Sequence, residues 1–123
     1  MQRYDHVQRI IEQLAAALAR IAGCKAEGHF EAGLEEVRRA IEELGLNPHL
    51  VSSLDTGSLG RLLRHPEQLR AVARLLAEEA ELLAALGRER AAALTAARAT
   101  ALARLLDDRT TPGAPDDRGK RDR

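Results

Sequence analysis

The chain has 123 residues, sets 19 Lys and Arg against 19 Asp and Glu, and is 45% hydrophobic but only 2% aromatic. A length within the usual single-domain range predicts one domain with a real core, and zero net charge excludes a general polyanion binder, whose affinity needs excess positive charge. Ala and Leu dominate while β-branched residues are few and scattered, so the composition excludes a sheet and predicts helix throughout.

In chain order, Val7, Ile11, Leu14, Leu18 and Ile21 recur at helical spacing and predict the first helix. Met1 is followed by charged and polar residues, which is no signal peptide. The longest apolar stretch, 14–22, is broken by Arg20 and falls far short of the ~20 residues a membrane span needs. The expected setting is therefore soluble and cytoplasmic, with no membrane partner. Cys24 is alone, so no intramolecular disulfide forms.

Gly23 and Gly28 are read as separating the first helix from the second, which carries Phe30, Leu34, Val37, Ile41 and Leu44 on a narrow stripe. "GLNPHL" at 45–50 ends the second helix, and a short helix over 59–64 follows Asp55. Pro66 stands at a first helical position, where its missing N–H costs nothing. It opens a fourth helix through Leu69, Val72, Leu76, Ala80 and Leu83, which stops near Gly87. Leu75, Leu82 and Leu86 widen this helix's apolar arc to roughly 200°. It is thus either the central helix or part of an interface, and those leucines predict a homodimer if they stay exposed. The fifth helix runs through Leu94, Ala97, Ala101 and Leu105. From Arg109 the chain has no apolar period and dense charge, which predicts a disordered tail over 109–123 after a helical domain over 1–108.

Two segments echo each other. "GHFEAGLEEVRRAI" from Gly28 and "GRERAAALTAARAT" from Gly87 align Gly33, Val37 and Ala40 with Ala92, Ala96 and Ala99 at a constant offset, 87 − 28 = 59. Gly turns the chain between antiparallel helices, and small residues let the second helix pack close. This order resembles the second half of a tetratricopeptide (TPR) repeat, with "LAALG" before Gly87 and Asn47-Pro48 after the second helix adding to the likeness. The early aromatic of a TPR first helix is absent, and a TPR array repeats at ~34 residues rather than 59. Over its helices the chain also looks similar to small bacterial proteins of unknown function with TPR-like hairpins. The resemblance implies an all-α fold of two antiparallel hairpins joined by a short helix. It implies a partner groove on the first helix of each hairpin, with Arg9, Gln13 and Arg20 on one and Arg70, Arg74 and Glu78 on the other.

The motif chemistry is thin. "LDTGS" at 54–58 carries the Asp-Thr-Gly of aspartic proteases, but it leads from a helix end into another helix rather than from a buried strand. The structural reading is a helix cap at Asp55, Thr56 or Ser58 with a turn at Gly57. No His-Glu-x-x-His or Glu-x-x-His occurs, and His6, His29, His49 and His65 are scattered near helix ends, so no metal or other cofactor is expected. Cys24 lies near a helix C-terminus, where the dipole disfavours a thiolate. Arg61, Arg64, Arg70 and Arg74 form a local basic excess without interleaved aromatics, which is a poor nucleic-acid signal. Glu79 falls inside the apolar arc of the fourth helix, either paired with an Arg at a seam or buried with a raised pKa. The expected function is a non-catalytic interaction module that binds a protein partner or itself; the alternative is a small helical enzyme or ligand-binding bundle using Glu79 and a His. The protease reading has a direct test. Purified protein is expected to cleave no peptide at acid or neutral pH, and cleavage that vanishes in Asp55→Asn would overturn the capping assignment.

Overall fold

In a computed structural model describing residues 2–110, with side chains from 5 to 109, the chain forms α1 (Gln2–Ala26), α2 (Phe30–Glu43), α3 (Pro48–Ser53), α4 (Thr56–Leu62), α5 (Pro66–Ala85) and α6 (Glu89–Thr110). No strand occurs among the described residues. The all-helical expectation holds, but α3 was not foreseen. Asn47-Pro48 opens that helix rather than closing α2: the Asn47 side chain accepts hydrogen bonds from the His49 and Leu50 amides at 2.8 and 3.4 Å, and Pro48 takes the first turn. Gly23 likewise lies within α1 and does not end it. Asp55 is the N-cap of α4 and accepts from the Ser58 amide at 3.2 Å, so "LDTGS" is a helix start.

α1 and α2 pack as one hairpin and α5 and α6 as another. Their turns are built alike. Gly28 and Gly87 both have positive φ, 74° and 80°, a conformation that Gly adopts without a Cβ penalty. After each, the next amide reaches back five residues, His29 to the Cys24 carbonyl at 2.8 Å and Arg88 to the Leu83 carbonyl at 2.9 Å. The sequence echo is thus a structural repeat of the turn. α5 also packs on α1 and on α2. The His6 and His65 rings meet edge to face at 6.0 Å near the starts of α1 and α5, and Lys25 at the end of α1 reaches Glu78 on α5 at 2.8 Å. The two first helices therefore run parallel, and the hairpins stack in the same sense.

α5 is the centre of the core. Leu69, Val72, Leu75 and Leu82 are fully buried, and Leu76 is nearly so. This corrects the expectation of an exposed self-association patch at Leu75, Leu82 and Leu86. α1, α2 and α6 surround α5, so Leu75 and Leu82 belong to the core of the single chain, and Leu86 is half-buried at the helix end. Burying each such leucine contributes about 1.5–3 kcal/mol. Leu82 also fixes the approach of α2, because a Cβ at Gly33 would stand 2.7 Å from a Leu82 methyl.

The buried faces of the flanking helices match expectation in part: Ile21 is fully buried, and Leu14, Leu18 and Leu105 pack against the core. On α1 the core takes Ile10, Ala17 and Ile21 while Ile11 is 53% exposed; on α6 it takes Ala92, Ala99 and Leu102 while Leu94 is 63% exposed. Alanines carry the contact in both, since a small side chain admits a close neighbour that a leucine would hold off. Phe30 is half-buried against the core, a peripheral anchor of the first hairpin.

α6 holds the two short helices in place. The Arg98 guanidinium donates to the carbonyls of Val51 and, at 2.7 Å, Leu54 at the end of α3; Arg109 donates to the carbonyls of Gly60 and, at 2.9 Å, Leu63 at the end of α4. A cation at a helix C-terminus satisfies orphan carbonyls and complements the helix dipole. The predicted domain limit at 108 is therefore too early, because Arg109 and Thr110 belong to α6. The remainder of the predicted tail, 111–123, lies outside the described residues. Arg98→Met, which keeps the aliphatic stem, is expected to lose about 1.5–3 kcal/mol of stability. A urea midpoint equal to that of the parent would show that the α3 carbonyls do not need the guanidinium.

Candidate functional site

The six positions expected to contact a partner do not form one surface. Arg20 lies across from α2, with its guanidinium 2.8 Å from Glu36 and 3.8 Å from Glu43, and ties the first hairpin. Arg9 is exposed and Gln13 half-buried on α1; neither lines a concavity described below. Glu78 is 9% exposed and is taken up inside the molecule, 2.8 Å from the Lys25 ammonium and 3.3 Å from Arg74. Burial pushes its carboxyl up, but the hydrogen bonds and charges of Lys25 and Arg74 outweigh this and hold it below the ordinary value. Lys25, held by Glu78 and Glu81, is raised. Glu78 is thus a buried tie between α1 and α5 and is withdrawn from the partner surface. Arg70 and Arg74 alone among the six border a groove.

That groove runs between α5 and α6 on the outer side of the second hairpin. Two connected hollows of about 440 and 350 Å³ form it, sharing Ala77, Ala99 and Thr100. Its walls are almost all methyl groups: Ala73, Ala77, Ala80 and Ala84 from α5, and Ala92, Ala96, Ala99 and Ala103 from α6. Arg70 and Arg74 stand at the end nearer the start of α5, and Glu81 stands further along. The sequence echo gives these positions a meaning. Shifted back by the same offset, Ala77, Ala80 and Ala84 correspond to Leu18, Ile21 and Lys25, and Ala92, Ala96 and Ala99 to Gly33, Val37 and Ala40. Of these counterparts, Lys25 bonds to α5, Gly33 meets Leu82 of α5, and Ile21, Val37 and Ala40 are buried. The groove on α5–α6 is the counterpart of the α1–α2 surface that α5 itself covers.

A second concavity, a cleft of about 380 Å³, opens on the other side of α5. Its floor is Leu76, Glu79 and Leu83, successive turns of α5. α2 supplies a wall with Leu34, Val37 and Ile41, and α3 closes one end with Pro48, His49, Val51 and Ser52. Arg88, paired with Glu31, stands at the rim beside Glu35 and Arg38. Glu79 is half-buried and makes no hydrogen bond or ion pair with any described residue. Burial pushes its carboxyl above the ordinary value, and the charge of Arg98 offsets part of that rise. The seam with an Arg foreseen for Glu79 exists only as a field, because the Arg98 N–H groups that bond go to the Val51 and Leu54 carbonyls.

Among the described residues, no cluster of three or more His, Cys, Asp or Glu side chains is placed to hold a metal ion, and no helix is long and apolar enough to cross a membrane. Cys24 is half-buried and free. No protein-family model, no curated protein and no solved structure matches the chain.

The unpaired floor of the cleft makes a pH prediction. Glu79 has a folded-state pKa above its unfolded one, so the folded chain binds the extra proton, and the penalty is absent at pH below the ordinary value of 4.5. The penalty grows as pH rises through the folded-state value and is complete above it. Glu79→Gln is therefore expected to be more stable than the parent at neutral pH, with the difference closing on acidification to pH 4. Urea melts at the two pH values measure it; a glutamine variant less stable at pH 7 would show that the carboxylate has a partner after all.

Proposed function

We propose that this chain is a non-catalytic helical interaction module with TPR-like stacking of its hairpins, acting in the cytoplasm, and that it receives a helix of a protein partner in the α5–α6 groove. The supporting observation is the correspondence between that groove and the α1–α2 surface on which α5 packs. Within the chain, a helix already lies on the equivalent positions of the first hairpin. On the second hairpin the same positions are all alanine, with Leu18, Ile21, Lys25 and Val37 replaced by the smaller side chain, and no helix of the chain lies over the groove they line. Alanine walls let a helix approach closely and gain dispersion contacts along its length. Arg70 and Arg74 at one end add a place for acidic residues on the incoming helix, a contact that sets orientation and rate more than affinity.

Display of a library of amphipathic helices gives the test. Helices selected on the parent protein are expected to lose binding to Ala84→Glu with Ala96→Glu, two changes at exposed groove positions that leave the helical circular-dichroism signal intact. Binders that hold equally to parent and variant would move the partner surface elsewhere. In the same preparation, light scattering over a wide concentration range reports whether a second copy fills the groove, which would show as a mass above 13.4 kDa.

A further inference from the structure

The cleft over Glu79 is separate from the groove on α5–α6 and poses its own chemical question. Glu78 and Glu79 are neighbours on α5, the first buried and the second half-buried, yet only the first is paired with a cation of the chain. Glu78 receives the Lys25 ammonium at 2.8 Å, delivered on an aliphatic stem from α1, together with Arg74. Glu79 points to the other side of α5 and receives no donor from any described residue. Partial burial disfavours a carboxylate's charge, and a hydrogen-bonded opposite charge offsets that cost.

We propose that the cleft binds a cationic nitrogen carried on an aliphatic stem, and that Glu79 is the residue that holds it. Three features of the site support this occupant. First, Glu79 lines an open cleft of about 380 Å³, room enough for a short aliphatic chain. Second, Leu76 and Leu83 flank Glu79 on the floor, and Leu34, Val37 and Ile41 line the wall, which suits methylene groups leading to a charged tip. Third, the rim selects little by charge, because Glu31 is paired with Arg88 while Glu35 and Arg38 stand side by side on α2. The floor decides instead: it favours a cation and repels an anion. Arg98 contributes a positive field at Glu79, but its N–H groups that bond go to α3 carbonyls, so both carboxylate oxygens are left to the ligand. The chain solves the same problem at Glu78 with a lysine, and the cleft leaves the corresponding place at Glu79 to a molecule from outside.

Pentylamine is the first probe, followed by amide-detected NMR titration. Saturable shifts are expected at residues of α2, α3 and α5 that line the cleft. Pentanol and pentanoate, which match the stem and change the tip, are expected to bind at least about tenfold more weakly, the value of a charge-assisted hydrogen bond. Glu79→Gln is expected to lose pentylamine affinity by at least about tenfold while its amide spectrum remains that of a folded chain. Nα-acetyl-lysine amide and cadaverine distinguish the source of the amine. Tighter binding of the first assigns the site to a protein side chain, and tighter binding of the second to a free amine; either order upholds the cation site. No saturable shift with any amine, equal affinity in Glu79→Gln, or pentanol binding as well as pentylamine would overturn the proposal.

Discussion

The structure depends on a single demand made by α5: its leucines and valine face several directions at once. Its buried side chains cannot all be covered by one neighbour, because Leu69, Val72, Leu75 and Leu82 already spread over about 140° of the helix, and Ala71 and Ala73 widen the buried arc to about 200°. Three neighbours are needed, and α1, α2 and α6 provide them. That demand fixes the parallel stacking of the two hairpins, and it also sets where the surface is left open. With α1 and α2 on one side of α5 and α6 on another, a groove remains outside the second hairpin and a cleft remains over Glu79, between α2 and α3.

Close approach within this arrangement comes from small side chains rather than large ones. A Leu82 methyl would stand 2.7 Å from a Cβ at Gly33, and a Leu105 methyl 2.7 Å from a Cβ at Gly60. Both glycines occur where a helix backbone comes down on a leucine of another helix. Alanines do similar service at Ala17, Ala40 and Ala99. The core is thin in aromatic mass and gains its density from close helix spacing instead, where many weak dispersion contacts add up.

Charge is distributed by the same geometry. Arg98 and Arg109 cross to α3 and α4 and supply the hydrogen bonds that such short helices cannot make for themselves. Glu78 faces α1 and finds Lys25, whereas Glu79, one residue on, is turned by about 100° and finds a hollow. One arc of the helix therefore holds a structural ion pair, and the adjacent one an acid without a donor.

Local chemistry was legible in the sequence. Periodic Leu and Ala dictated helices, Gly28 and Gly87 dictated the two equivalent turns, "LDTGS" dictated a cap at Asp55, Thr56 or Ser58, and the broad arc of α5 dictated a central position or an interface. Each of these follows from interactions among residues a few positions apart. The tertiary structure alone decided which of the two roles α5 takes, which neighbour each stripe faces, and what each polar side chain meets. Ile11 and Leu94 fit the apolar period yet point outward, because alanines at Ala17 and Ala99 admit the closer neighbour. The roles of Arg98 and Arg109 were not legible, since their carbonyl partners lie 44 to 49 residues away along the chain. Glu78 and Glu79 are chemically identical in the sequence. Arg74, four residues before Glu78, is a partner the helical period could have shown, but Lys25 stands 53 residues earlier, and only the tertiary structure brings it to Glu78 and leaves Glu79 unpaired, since an ion pair depends on distance through space.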